Sequence, residues 1–137
     1  MRRTALLAFL VLAGCARAPG GAERVVSGTT VVGDTAEWTA HFAGDTLRKI
    51  EERSHRGDHT AKNVYWYEAG ALRLYDSQRD RGMHTLHVLF DSAGHVTKFS
   101  KREDGRAVAI EPAEAQEALV RGAYLAVKAH RAAGVTP

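Results

Sequence analysis

The sequence predicts an α+β domain: an antiparallel β-meander of roughly six to eight strands with one C-terminal helix packed on the sheet. Three observations carry this. Glycines recur at near-regular spacing, at Gly33, Gly44, Gly57, Gly70, Gly82, Gly94 and Gly105. The segments between them alternate apolar and polar residues with a period of two. Beyond Ile110 the period becomes that of a helix.

The glycine spacing marks turns between short strands, because glycine supplies the positive φ that tight turns need. Most of these glycines stand beside other turn formers, as in Gly44-Asp45, Arg56-Gly57-Asp58, Asp91-Ser92-Ala93-Gly94 and Glu103-Asp104-Gly105. The Arg-Gly-Asp tripeptide is read as such a turn and not as a recognition motif. Within residues 37–42, Trp38, Ala40 and Phe42 share one face. Within residues 83–90, Leu86, Val88 and Phe90 do, with His84 at the end. Leu72 and Leu74 share a face after Gly70. This alternation is that of half-buried strands. Asn63-Val64-Tyr65-Trp66-Tyr67 is apolar on both faces, which predicts a central strand.

The helix opens at Ile110-Glu111-Pro112, where proline suits the first helical position. Glu111, Glu114 and Glu117 favour the positive end of the helix dipole, and Lys128, His130 and Arg131 the negative end. Leu119, Gly122, Ala123, Ala126 and Val127 follow helical spacing and predict a narrow face of small residues, able to lie close on a sheet. Gly134 stands where the chain leaves.

A short internal repeat runs through Asp45-Thr-Leu-Arg-Lys-Ile50, Gly70-Ala-Leu-Arg-Leu-Tyr75 and Gly94-His-Val-Thr-Lys-Phe99. Each copy has a turn residue, an aliphatic third and a large apolar sixth. In architecture this resembles the MORN-like hairpin repeats of bacterial proteins, without their regular aromatic-glycine signature.

The N-terminus carries a different signal. Arg2 and Arg3 precede an apolar run from Ala5 to Ala13, far shorter than the roughly 20 residues of a spanning helix. The run ends in Leu12-Ala13-Gly14-Cys15. This resembles the lipobox of bacterial lipoproteins. The resemblance implies a diacylglyceryl group on the Cys15 thiol, cleavage before Cys15 and further acylation of the new amine. Ala16 stands where an aspartate would resemble an inner-membrane retention signal. The resemblance therefore implies the periplasmic face of the outer membrane, or the cell membrane in an organism without one. The expected organisation is a signal peptide over residues 1–14, a lipidated cysteine and flexible tether over 15–22, and one globular domain over 23–137. Its strands are expected over about 23–110 and its helix over about 112–132.

Losing Arg2 and Arg3 with the signal takes the formal net charge from +3 to about +1. No polybasic block remains, so nucleic acid is not an expected partner. Cys15 is the single cysteine, so no internal disulfide is expected.

No catalytic, cofactor-binding or metal-ligating set emerges. There is no G-x-S-x-G, no H-E-x-x-H and no Gly-rich phosphate loop. His84 and His87, three apart on a strand, face opposite ways; His55 and His59 flank a turn and lack a third ligand unless Asp58 or His41 supplies it. Glu51, Glu52 and Asp76 are acids that the sequence alone does not bring together. Aromatics are the remaining signal. Tyr65, Trp66 and Tyr67 form a candidate binding patch, with Trp66 opposed by parity to its neighbours. The expected function is a non-catalytic binding or structural module for another envelope component, engaged through an edge strand or aromatic anchors. The alternatives are a small apolar-ligand carrier with a barrel-like sheet, and a small hydrolase.

Overall fold

Eight strands pair in the order in which the chain makes them. The computed structural model describes residues 22–32 and 34–137. The expected signal peptide, Cys15, most of the tether and Gly33 lie outside them. The strands are β1 (Glu23–Val32), β2 (Asp34–Ala43), β3 (Thr46–Arg56), β4 (His59–Glu68), β5 (Ala71–Arg79), β6 (His84–Phe90), β7 (Val96–Glu103) and β8 (Arg106–Val108). Every neighbouring pair is antiparallel. One helix, α1 (Pro112–Ala133), follows. This is the α+β meander that the glycine spacing predicts. Gly44, Gly57, Gly70, Gly82, Gly94 and Gly105 stand at the connections with φ between +59° and +88°.

The sheet is open. β1 and β8 are its two edges and do not pair, so the barrel-like closure of the carrier alternative is not what these strands do.

The helix crosses one face of the sheet from β7 to β1. At its start Glu114 meets Lys101 of β7 at 2.9 Å and accepts the Glu111 N–H at 2.8 Å. At its middle the Tyr67 hydroxyl donates to the Gly122 carbonyl at 2.7 Å. Near its end His130 sits edge-on to Phe42, ring centroids 5.5 Å apart. Arg24 of β1 then caps the Ala133 carbonyl at 2.5 Å. Gly134 ends the helix in the left-handed conformation.

The buried helix face is Ala115, Ala118, Gly122, Leu125, Ala129 and Ala133. This corrects the expected stripe. Gly122 is shared, and Leu119 and Ala126 pack partly buried against the core, but Ala123 and Val127 face solvent and Leu125 is fully buried. The helix is turned by about one residue because Leu125 fills more of the core than Val127 would, while Arg121 reaches a polar partner in the sheet. Gly122 is where the two layers come closest. A Cβ there would lie 3.1 Å from Leu72 and 3.2 Å from Tyr65.

The internal repeat has a physical basis in the sheet. Three register shifts occur, between His41 and Phe42, between Trp66 and Tyr67, and between Leu89 and Phe90. In each the opposing strand carries one extra residue: Arg48 in β3, Arg73 in β5 and Thr97 in β7. These are the fourth positions of the three repeats. A β-bulge there brings the third and sixth positions onto one face, which an unbroken strand would put on opposite faces. Leu47 with Ile50, and Leu72 with Tyr75, are buried accordingly. The expectation that Leu72 and Leu74 share a face is corrected by the same bulge, which leaves Leu74 on the outer face. Bulges on alternate hairpins also increase the local twist.

Candidate functional site

The helix covers the sheet around Phe42, Tyr67 and Leu72. Toward the opposite ends of the same strands the inner face stays open. There a groove of about 770 Å³ lies between α1 and the sheet. Ala36, Ser54, Asn63, Tyr75 and Leu86 line its sheet side, and Ala118, Val120, Arg121 and Tyr124 its helix side. Arg79 and Glu117 stand at it as charged groups.

A polar network forms the floor. Glu52 lies on the inner face of β3 and is only 3% exposed. Its Oε1 accepts from the Tyr65 hydroxyl at 3.1 Å and from Asn63 Nδ2 at 3.3 Å. Its Oε2 accepts from Arg121 Nε at 2.9 Å and also from Arg121 Nη2. Arg121 Nη2 further donates to Thr30 Oγ1 of β1 at 3.0 Å, and the Tyr75 hydroxyl donates to Asn63 Oδ1 at 3.2 Å. A carboxylate offers about four acceptor positions, and four donors occupy them here.

The electrostatics follow from burial. Desolvation opposes the Arg121 charge, but its hydrogen bond and ion pair with Glu52 outweigh this and raise its pKa. Burial, and after it Tyr75 and Glu52, pushes the Tyr65 phenol far above the ordinary tyrosine value. Burial and then Glu52 do the same to Tyr67. Burial also raises Tyr75. All three phenols therefore remain protonated donors at neutral pH. At the rim, Tyr124 lies between two cations, Arg121 at 5.2 Å and Lys128 at 5.5 Å from the ring centre.

The groove is thus held in shape by this network. Its carboxylate is committed to internal donors, so proton abstraction by Glu52 would require breaking the network that holds helix to sheet.

The expected patch at Tyr65, Trp66 and Tyr67 does not form one surface. Tyr65 and Tyr67 are 1% and 7% exposed and lie under the helix, while Trp66 is 42% exposed on the outer face. The reason is strand parity, with helix on one side alone. Lys49 Nζ sits 5.1 Å from the centre of the Trp66 ring.

The histidines are dispersed. His84 faces Asp80 at 3.8 Å and His87 pairs with Asp76 on the outer face. His59 Nδ1 lies 2.9 Å from Asp80 and does not join His55; His41 lies between Glu23 at 3.4 Å and Glu51 at 3.2 Å. Among the described residues no three His, Cys, Asp or Glu come together to hold a metal ion. Strand register sets Asp76, His87 and Ser100 side by side across β5, β6 and β7. They line a shallow hollow of about 290 Å³ on the outer face, and among the described residues no hydrogen bond joins Ser100 to His87.

Sequence reasoning missed Glu52 and Arg121 as a unit. The available signal was parity: Glu52 stands between Ile50 and Ser54 on the face that buries Ile50. A charged residue at an inward position needs a partner, and that partner is 69 residues away in sequence.

No protein-family model, curated protein or solved structure matches this chain. Among the described residues no helix is long and apolar enough to cross a membrane.

Proposed function

We propose that this chain is a non-catalytic binding module, held at the cell envelope by lipid on Cys15, with the helix–sheet groove as its binding site. One observation carries the groove: apolar and aromatic side chains such as Leu86, Val120, Tyr75 and Tyr124, with a charged rim, over a floor whose carboxylate is saturated by internal donors. Such a floor gives shape and rigidity without a free base, which suits recognition. The occupant is an apolar, partly aromatic segment of another envelope protein, with Tyr124 and Val120 as contact residues on the helix flank. The lipid confines the module to a surface and raises its effective concentration there.

A second reading is favoured by size. The groove volume of about 770 Å³ falls within the range of small-molecule sites, roughly 300–1,000 Å³, so a small apolar ligand is the alternative occupant.

Native mass spectrometry of the protein extracted gently from its own membrane separates the two. The experiment includes a Ser54→Trp variant, which fills the groove. A co-purifying protein at fixed stoichiometry, lost in the variant, supports the module. A retained small apolar mass, also lost in the variant, supports the ligand site. A bare lipidated chain removes the groove as a binding site.

A further inference from the structure

We propose that this chain forms a two-fold dimer through β1, the two copies of the strand pairing antiparallel about Gly28. The inference is independent of the groove and of what the groove binds.

The first observation is the edge itself. Among the described residues no strand pairs with the outer side of β1. The Gly44 N–H donates to the Ala22 carbonyl at 3.0 Å. The β1–β2 register continues from there to Val32 and Asp34 without a shift. Antiparallel pairs alternate between bonded and non-bonded, so the even-numbered residues of β1 bond to β2. Residues 23, 25, 27, 29 and 31 direct their N–H and C=O groups outward.

Edge strands are normally blunted by shortness, charge, proline or a bulge. The far edge is: β8 has three residues, and β7 carries Lys98, Lys101, Arg102 and Glu103. β1 has none of these guards along most of its length. It spans ten residues and has no proline. From residue 25 to 32 it carries no charge. Val25 is 54% exposed on it.

The second observation identifies the occupant as another copy. Two antiparallel copies of one strand are related by a two-fold axis perpendicular to the sheet, so residues facing each other must lie on the same face. Centring the axis on Gly28 sets Ser27 opposite Thr29 of the second copy, so hydroxyl meets hydroxyl. The pattern continues one already present, since Ser27 Oγ lies 3.2 Å from Thr39 Oγ1 across the β1–β2 pair. Glu23 falls outside the paired strand, and Arg24 stands at its last pair.

Gly28 suits the centre. A Cβ on it would lie 2.4 Å from the Trp38 ring, so the indole occupies its inner face and no side chain there obstructs a second strand. The Trp38 Nε1–H, buried against this rim, has no acceptor among the described residues. Moving the axis to Thr29 would instead set Gly28 opposite Thr30, which already accepts from Arg121.

The contact is isologous and closes on itself, so assembly stops at two. Its axis also leaves both strand starts at the same height above the sheet plane, where two lipid anchors would reach one membrane.

The test is the mass of the full chain, purified in detergent and measured by sedimentation equilibrium. The expected result is twice the chain mass. In Ser27→Lys/Thr29→Lys, lysines face each other across the axis, and association weakens at least about 100-fold. Ser27→Pro removes one outward N–H and also gives monomer. Both changes also remove the Ser27 hydroxyl contact to Thr39, and an unchanged far-UV spectrum checks that each variant folds. For register, oxidising a mixture of Ser27→Cys and Thr29→Cys chains gives a crosslinked pair well above either variant alone and above the wild-type background. A wild-type monomer at about 100 μM overturns the proposal. So does a dimer that survives both variants, equal crosslinking in all mixtures, or a different chain found on the edge.

Discussion

Arg121 of the helix closes on Glu52 of β3 across the helix–sheet interface, with Nε 2.9 Å from Oε2 and Nη2 on the same oxygen. This pair anchors the helix at the point where the groove opens. Removing one partner of a buried pair leaves the other charge uncompensated. Arg121→Met is expected to destabilise the domain by about 3 kcal/mol, read from the midpoint of urea unfolding. Glu52→Gln/Arg121→Met, which leaves no charge behind, lies closer to wild type. If the double variant is the less stable of the two, the pair is not what holds this contact.

The bulge at Arg73 separates two leucines that simple alternation would pair. Leu72→Ala empties a core position and is expected to destabilise by about 3 kcal/mol. Leu74→Ala, on the outer face, is expected to lose at most about 1 kcal/mol. Equal losses would show that β5 runs without the bulge.

Glu114 ties the start of the helix to β7. Desolvation raises its pKa, but hydrogen bonds from Lys101 and the Glu111 N–H, with the charge of Lys101, outweigh this and hold it below the ordinary glutamate value. A depressed carboxyl contributes stability that is complete above its unfolded value, about 4.3, and is lost as pH falls through the folded value. Melting temperature is therefore expected to fall in that acid window. Glu114→Gln is expected to melt lower at neutral pH and to show a weaker dependence there. An unchanged acid slope in the variant would remove Glu114 as its source.

Cys15→Ser tests the anchor. In fractionated cells the wild type is expected in the membrane pellet and the variant in the soluble fraction. A variant that stays in the pellet would show that lipid on Cys15 is not what holds the protein there.

Much of this fold is determined by local chemistry that can be read along the chain. Glycines at turn spacing set the hairpins, and hairpins joined in series make a meander, because each strand pairs with the next before any distant strand can compete. Proline and acids at one end of the last segment, with bases and Gly134 at the other, determine where the helix begins and ends. The faces of Trp38, Ala40 and Phe42, and of Leu86, Val88 and Phe90, follow from a period of two. Tertiary structure decided what depends on distant residues. The bulges shift the phase of β3, β5 and β7, and with it which leucine is buried. The choice of Leu125 over Val127 for the core rotates the helix, and that rotation aims Arg121 at Glu52. The single helix hides Tyr65 and Tyr67 while Trp66 stays exposed. The groove exists because α1 covers the inner face toward one end of the strands and leaves it open toward the other. None of these is a property of a local segment, since each is set by the side chains that meet when two layers pack.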